Sequence, residues 1–309
     1  MLSKLGFYLS CFLVLPVLGA LFLFSCGSKS EDANYIKDLL EQGQVAQAEV
    51  VIKEMLQHDS ANVEINVLYA DLLLSKGDFK EAYYMLSRAR DFDSTNVTVN
   101  LKLSEFHLYL RQFEKVIISA NDVLKKERNN AKAYFLKGMS YKELGDTVKA
   151  FSNFQTVVEQ DANYYDAFVQ LGILASAKHD STAVQYFDNA LSLRPNSAEV
   201  LFNKARFYQV HGAPNKALKI YATVPEGNNF YGSSVYNSGV ILYDSGKFAE
   251  ASKLFQIAGQ YRNAKAFYML GLICEQAKQM KQARINYEKC LELDPTYEKA
   301  KLKLASIRN

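Results

Sequence analysis

The chain opens on a short polar step, Met1-Leu2-Ser3-Lys4, followed by an almost unbroken apolar run from Leu5 to Phe24; at Ser28 it turns abruptly polar. Beyond that change the apolar positions fall into a helical rhythm that repeats. Small apolar residues recur as Ala48, Ala82, Val116, Ala150, Ala183, Ala217, Ala251 and Ala283, at intervals of 34, 34, 34, 33, 34, 34 and 32 residues. Four residues later, one turn on and on the same helical face, stand Leu86, Phe154, Phe187, Tyr221, Phe255 and Tyr287. A further three residues bring Ala89, Ala190 and Ala258, and Pro195 and Pro295 then stop the helix. Gly43, Gly77, Gly145, Gly212 and Gly246 each lie five residues before their alanine, where the chain must reverse. Pro214, just after Gly212, suits a first helical turn. Gly138, Gly172, Gly239 and Gly271 supply a small contact residue in the preceding helix. The pattern predicts about eight helix-turn-helix units, each closing on small residues.

The stretch "AKAYFLKGMSYKELGDTVKAFSNFQTVVEQDANY", Ala131 to Tyr164, carries Gly138, Tyr141, Gly145, Ala150 and Phe154 in the order and spacing of the tetratricopeptide repeat. The chain resembles that family over nearly all of residues 29 to 309. The resemblance implies an all-α fold, a right-handed superhelical solenoid whose first helices line a concave groove. The final stretch, Tyr297 to Asn309, reads as an extra helix with Ala300, Leu304 and Ile307 on one face, capping the open end. The organisation expected is a signal at 1–25, a lipid-anchored linker at 26–32, the solenoid at 33–297 and the capping helix at 298–309. The third unit, Val97 to Asn130, departs from the pattern with Arg111 at the turn, Val116 for the alanine and Ala120 for the aromatic. The first, Lys29 to Asn62, matches poorly in its opening helix, as terminal repeats do. "VPEGNNFYGSS", from Val224, is rich in breakers and predicts a longer loop or a slight hinge.

The apolar leader has two readings. About 20 apolar residues suffice to span a bilayer, but one positive charge before an apolar core is also the layout of a secretory signal. Pro16, Gly19 and Ser10-Cys11 interrupt the run and favour the signal. Leu23-Phe24-Ser25-Cys26 resembles the bacterial lipoprotein box, which implies that Cys26 becomes the acylated N-terminus and ties the protein to a membrane. Gly27 is not the aspartate that retains some lipoproteins in the inner membrane, so the resemblance implies the outer membrane of a Gram-negative envelope. Four triplets, at Ser60, Ser94, Thr147 and Ser181, each with a preceding aspartate and a small residue following, resemble the short O-glycosylation signal of Bacteroidota envelope proteins. Aspartate and serine are also ordinary turn residues, and that explains their positions without a sugar.

Composition adds exclusions. With 49% hydrophobic and 22% charged residues, the chain is that of an ordinary globular domain once the leader is set aside. A net charge of +3 with both signs mixed gives no basic stripe, so nucleic acid is not expected as a partner. Of the four cysteines, Cys11 falls in the signal and Cys26 is the anchor; Cys274 and Cys290 read as two packed thiols or a disulfide. His58, His107, His179 and His211 are far apart in sequence, and no metalloprotease, nucleophile-elbow or phosphate-loop motif is present. No metal, cofactor, small-molecule substrate or catalytic residue is therefore expected.

The family register assigns inward-facing positions on the first helices: Phe135, Met139, Val169, Ile173, Phe202, Arg206, Tyr236, Val240, Tyr243, Tyr268 and Leu272. Their apolar, aromatic character argues against a lysine- and asparagine-lined carboxylate clamp and for docking of a peptide or helix on apolar anchors, with Arg206 facing an acidic group. The alternative for each is burial between neighbouring helices. The function implied is a non-catalytic, envelope-anchored adaptor for other envelope proteins; the alternative is a fixed subunit of an envelope assembly machine.

Overall fold

The computed structural model describes residues 29–307, so Cys11, Cys26 and the leader lie outside the described residues. The described residues form 17 α-helices and no strand, in two compact units divided between Asp93 and Ser94. The first unit holds α1 (Lys29–Glu41), α2 (Val45–His58), α3 (Val63–Ser75) and α4 (Phe79–Phe92). The second begins with α5 (Val97–Tyr109), α6 (Phe113–Lys126), α7 (Ala131–Glu143), α8 (Thr147–Gln160), α9 (Tyr165–Ala177) and α10 (Thr182–Leu193). It continues with α11 (Ala198–Val210), α12 (Pro214–Tyr221), α13 (Tyr231–Asp244), α14 (Phe248–Gln260), α15 (Ala264–Gln276), α16 (Met280–Leu293) and α17 (Glu298–Ile307). Among the described residues no helix is long and apolar enough to cross a membrane.

Each pair closes where the pattern put its small residues. The rings of Phe154, Phe187, Phe255 and Tyr287 lie directly against the backbone of Gly138, Gly172, Gly239 and Gly271. A methyl on Gly138 would come within 2.6 Å of Phe154, and one on Gly271 within 2.3 Å of Tyr287. Contacts that short do not occur, so glycine is what lets the two helices approach. Val116 and Ala120 are fully buried, and the third unit forms its pair, α5 with α6, despite its departures from the pattern.

The two helices of a pair bury differently. On α8 the buried residues are Ala150, Phe154 and Val157, a single stripe at spacings of four and three, flanked by the half-buried Phe151 and Val158, with Val148, Lys149, Ser152 and Gln155 facing water. On α9 the buried set is Ala167, Phe168, Val169, Leu171, Gly172, Leu174 and Ala175, which surrounds most of the helix. The cause is packing: α9 contacts α8 before it, α10 after it, and α11, the next first helix. The same chain of contacts runs to α17, where Ala300 is buried and Leu304 and Ile307 pack on Tyr287 and Cys290, so that α17 covers the exposed side of α16.

Helix starts are held by side-chain caps. Asn62, Asn96, Asn130 and Asn263 each accept a hydrogen bond from the backbone N–H three residues on, at 3.2, 3.1, 2.9 and 3.3 Å. Asp78 and Asp146 do the same for second helices. Turns between helices use left-handed backbone: Gly145 has φ +82°, and Arg111, His179, Arg262 and Lys278 take φ of 56° to 59° at comparable places. A non-glycine residue there costs about 1–2 kcal/mol, which packing of the flanking helices offsets. The breaker-rich segment is a loop following α12, the shortest helix; Asn228 accepts from the Phe230 N–H at 2.8 Å, and Tyr261 donates to Glu226.

Candidate functional site

The residues assigned to the groove lie on the first helices of the second unit, and most are half-buried. Their aromatic rings follow a rule. Phe135 stands 5.6 Å from Phe154, Phe202 5.9 Å from Tyr221, Tyr236 5.8 Å from Phe255, and Tyr268 5.7 Å from Tyr287, centre to centre. In each unit the ring leans on the aromatic of its own second helix, leaving part of its surface open. Such pairs contribute about 0.5–1.5 kcal/mol each beyond area burial. Further rings extend the surface: Tyr164 against Phe135, Phe230 against Phe202, and Tyr297 against Tyr268. These residues are both partly packed and partly accessible, so groove and core are not exclusive readings.

Val169 is different. It is 2% exposed and sits in a core cluster with Phe168, Phe187 and Phe207, closed to any ligand in this conformation. The register assigned it by position alone; a side chain shorter than the rings at equivalent positions is covered by its larger neighbours. Met139 packs against the cluster of Phe154 and Leu171, and Val240 and Tyr243 against that of Phe255 and Leu270. Tyr243 also touches Phe248 and accepts a hydrogen bond from Gln276 Nε2 at 3.1 Å. Leu272 is half-buried on α15. Burial pushes the hydroxyls of Tyr221 and Tyr236 up to about 12, so both are neutral donors. The Tyr221 hydroxyl donates to Gln209 at 2.8 Å and accepts from Asn237 at 2.9 Å, a satisfied link joining α11, α12 and α13.

Ile173 and Arg206 come together in a cleft of about 320 Å³ between α9 and α11. Its walls are apolar at Ile173, Phe187, Phe207 and Val210 and polar at Asn203, Arg206, His179 and His211. Arg206 is exposed and has no carboxylate partner among the described residues. The cleft can take an apolar side chain with an anionic or carbonyl group beside it. Sequence reasoning found Ile173 and Arg206, set the two histidines aside as far apart in sequence, and passed over Asn203. The signal for the histidines was their separation of 32 residues, close to one repeat, which sets them on neighbouring units.

Cys274 and Cys290 are free thiols. Burial raises both, Cys290 to about 11, and Asn286 donates to Cys274 Sγ at 3.5 Å. Ser60, Ser94, Thr147 and Ser181 are all exposed. Ser60, Ser94 and Ser181 lie in turns, whereas Thr147 is the first residue of α8.

The fold and its small-against-aromatic contacts define an all-helical array of tetratricopeptide type, a class that builds protein–protein interaction surfaces and is generally non-catalytic. Tetratricopeptide-repeat family profiles match residues 39–90, 131–164 and 264–297. Among curated proteins, the chain is similar to the photosystem I assembly protein Ycf3 of Cyanophora paradoxa, 29% identical over 91 residues. That match takes in 28% of this chain and about half, 53%, of the relative's length. Among solved structures, a tetratricopeptide repeat protein from Parabacteroides merdae is 16% identical, with a TM-score of 0.53 over 91% of this chain and 99% of that one. PilW, a type IV pilus biogenesis factor, is 14% identical, with a TM-score of 0.59 over 68% of this chain and 99% of that one. At these identities the structural likeness is one of fold.

Proposed function

We propose that this protein is a non-catalytic adaptor, tethered through Cys26 to the outer membrane of a bacterial envelope, that takes up a peptide or helix of another envelope protein along the first helices of its second unit. The observation that carries the reading is the row of half-buried rings Phe135, Phe202, Tyr236 and Tyr268, all at one register position and all leaving an accessible edge. Aromatic residues that present a rigid, partly apolar face are typical anchors of binding surfaces. The cleft with Ile173 and unpaired Arg206 adds a place where an acidic group of the partner is oriented. The leader pattern supports the tether, and the fold shared with a pilus biogenesis factor keeps the alternative of a fixed subunit in an envelope machine in view.

The test is capture from intact envelopes. Leu272→Glu combined with Arg206→Glu alters the open surface without removing a ring that packs on a second helix. The variant should keep its helical circular dichroism and melting temperature but lose the partners that the wild type captures. Equal capture by an equally folded variant would move recognition off this surface and favour the fixed subunit. For the tether, Cys26→Ala should abolish lipid labelling and release the protein from membranes; retention would favour the uncleaved helix.

A further inference from the structure

Two histidines close one end of the cleft between α9 and α11 as a hydrogen-bonded pair. His179 lies in the turn after α9 and His211 directly follows α11, with His179 Nδ1 3.3 Å from His211 Nε2. His211 Nδ1 is 2.7 Å from the Phe207 carbonyl oxygen. A carbonyl only accepts, so His211 Nδ1 carries a proton, and in the neutral ring Nε2 is the acceptor. The His179 Nδ1–H therefore donates to it, which leaves His179 Nε2 with a lone pair. The chain of bonds runs one way, from His179 through His211 to the carbonyl.

That direction decides what a further proton does. Added at His179 Nε2, it breaks neither bond and turns that nitrogen into a donor on a positively charged ring. A second proton would have to occupy His211 Nε2 and would break the link between the rings. The pair can thus hold one charge with its hydrogen bonds intact. Both rings stand past the C-terminal ends of their helices, where unpaired carbonyls attract a cation. Phe207 stacks on His211, with centres 3.9 Å apart, and fixes its plane.

The surroundings supply no counter-charge. Arg206, on α11, is the only other ionisable residue of the cleft lining; α10 brings Phe187, and α8, α12 and α13, which pack on α9 or α11, bring nothing to it. Charged groups nearby are engaged elsewhere. Lys178 lies over the Phe151 ring at 5.8 Å, and the Asp180 carboxylate accepts from the Thr182 N–H at 2.9 Å. Lys204 pairs with Asp188, and Lys216 lies over the Tyr208 ring at 5.3 Å. Three groups able to carry positive charge, apolar walls at Ile173, Phe207 and Val210, and no acid make the cleft complementary to a carboxylate beside an apolar side chain.

We propose that the cleft takes up a carboxylate of the partner together with one proton, Arg206 and the singly protonated His179–His211 pair holding the anion, so that capture strengthens as pH falls. This rests on the adaptor reading of the cleft and adds that the site is proton-linked. Histidine is the side chain that ordinarily changes charge between about pH 5 and 8, and by linkage proton and carboxylate tighten each other by the same factor.

The test uses the ¹⁵N-labelled full chain in detergent, titrated at about pH 7.5 and about pH 5.5 with N-acetyl-leucine, acetyl-leucyl-glutamate amide and the uncharged N-acetyl-leucinamide. The expected result is saturable shifts at cleft residues with an acid but not with the neutral amide. The dissociation constant should fall about three- to fivefold at the lower pH, the size an exposed ion pair contributes, and saturation should move the titration of the histidine rings upward by the same factor. Whichever acid binds more tightly tells a chain terminus from an acidic side chain. Arg206→Gln should weaken binding at both pH values and keep the dependence, whereas His179→Gly combined with His211→Gln should bind equally at both. Glycine suits the left-handed backbone at position 179, where φ is +57°, and unchanged helical circular dichroism verifies that the double variant is folded. Absence of saturable binding by either acid, binding of the neutral amide as tight as theirs, or an unchanged pH dependence in the double variant would overturn the proposal. These probes read the cleft alone, so their outcome is separate from whether the ring-bearing surface captures a partner.

Discussion

At the scale of single residues, the fold rests on a size exchange between paired helices. Gly138 faces Phe154, Gly172 faces Phe187, and Gly271 faces Tyr287; where the second-helix residue is only Leu86 or Ala120, the residue at the equivalent register position of the first helix is Ala70 or Ser104. Gly138→Ala should therefore destabilise the second unit by about 1–3 kcal/mol, the range for an overpacked core, read by urea unfolding. Combining it with Phe154→Leu should cost less than the sum of the two single changes, because the shorter side chain vacates the space of the new methyl. Additive losses would show that the contact is not the cause. This contact was legible in advance, since glycine and aromatic recur together with the repeat. Burial of Val169 was not, because its register position is the same as that of the open rings and only the size of its neighbours closes over it.

At the scale of elements, asparagine marks the start of first helices with a regularity that packing alone does not require. Asn130 Oδ1 accepts from the Ala133 N–H and satisfies one of the donors a helix start leaves unpaired. Asn130→Ala should cost about 1 kcal/mol and speed amide exchange at Ala133, while Asn130→Asp should retain most of the protection. Unchanged exchange in Asn130→Ala would mean that packing of α7 against α6 and α8 holds its first turn by itself. The same scale explains α12. It begins on Pro214, as the sequence suggested, but ends at Tyr221, and the chain then needs nine residues, 222–230, to reach α13. Glycine and two asparagines after Pro225 showed that a loop would form; that Phe230 returns to pack on Phe202 depended on a contact 28 residues away.

At the scale of the molecule, the described residues separate into two compact units although the sequence register passes from Ala82 to Val116 without a break. Both units share a dependence on pH that follows from paired carboxylates, at turns in the second unit and on α2 in the first. Lys149, through its ammonium and its N–H, holds the Asp146 carboxyl below its usual range; the N–H and hydroxyl of Thr182 do so for Asp180, and those of Thr296 for Asp294. Lys53 and Lys76 lower Glu49 in the first unit. A carboxyl with a lowered folded value stabilises the fold above its unfolded value, near about 4, and that contribution is lost as pH falls through the folded value. The melting temperature should thus be flat from about pH 5 to 8 and decline below about pH 4. Replacing Asp146, Asp180 and Asp294 together by asparagine, which can still accept the N–H, should flatten the acid decline. A decline of unchanged slope would place its origin elsewhere.

The sequence by itself determined the repeat, the helical class, the turn positions and the aromatic character of the first-helix surface. All of these follow from residues within one 34-residue period, where spacing fixes which side chains share a face. Tertiary structure decided which candidates remain accessible, closing Val169 and leaving Arg206 open. It also brought His179 and His211 within 3.3 Å of each other. The reason is that accessibility and convergence depend on the volumes of side chains from neighbouring units and on the backbone direction at their turns, and no periodicity along the chain encodes either.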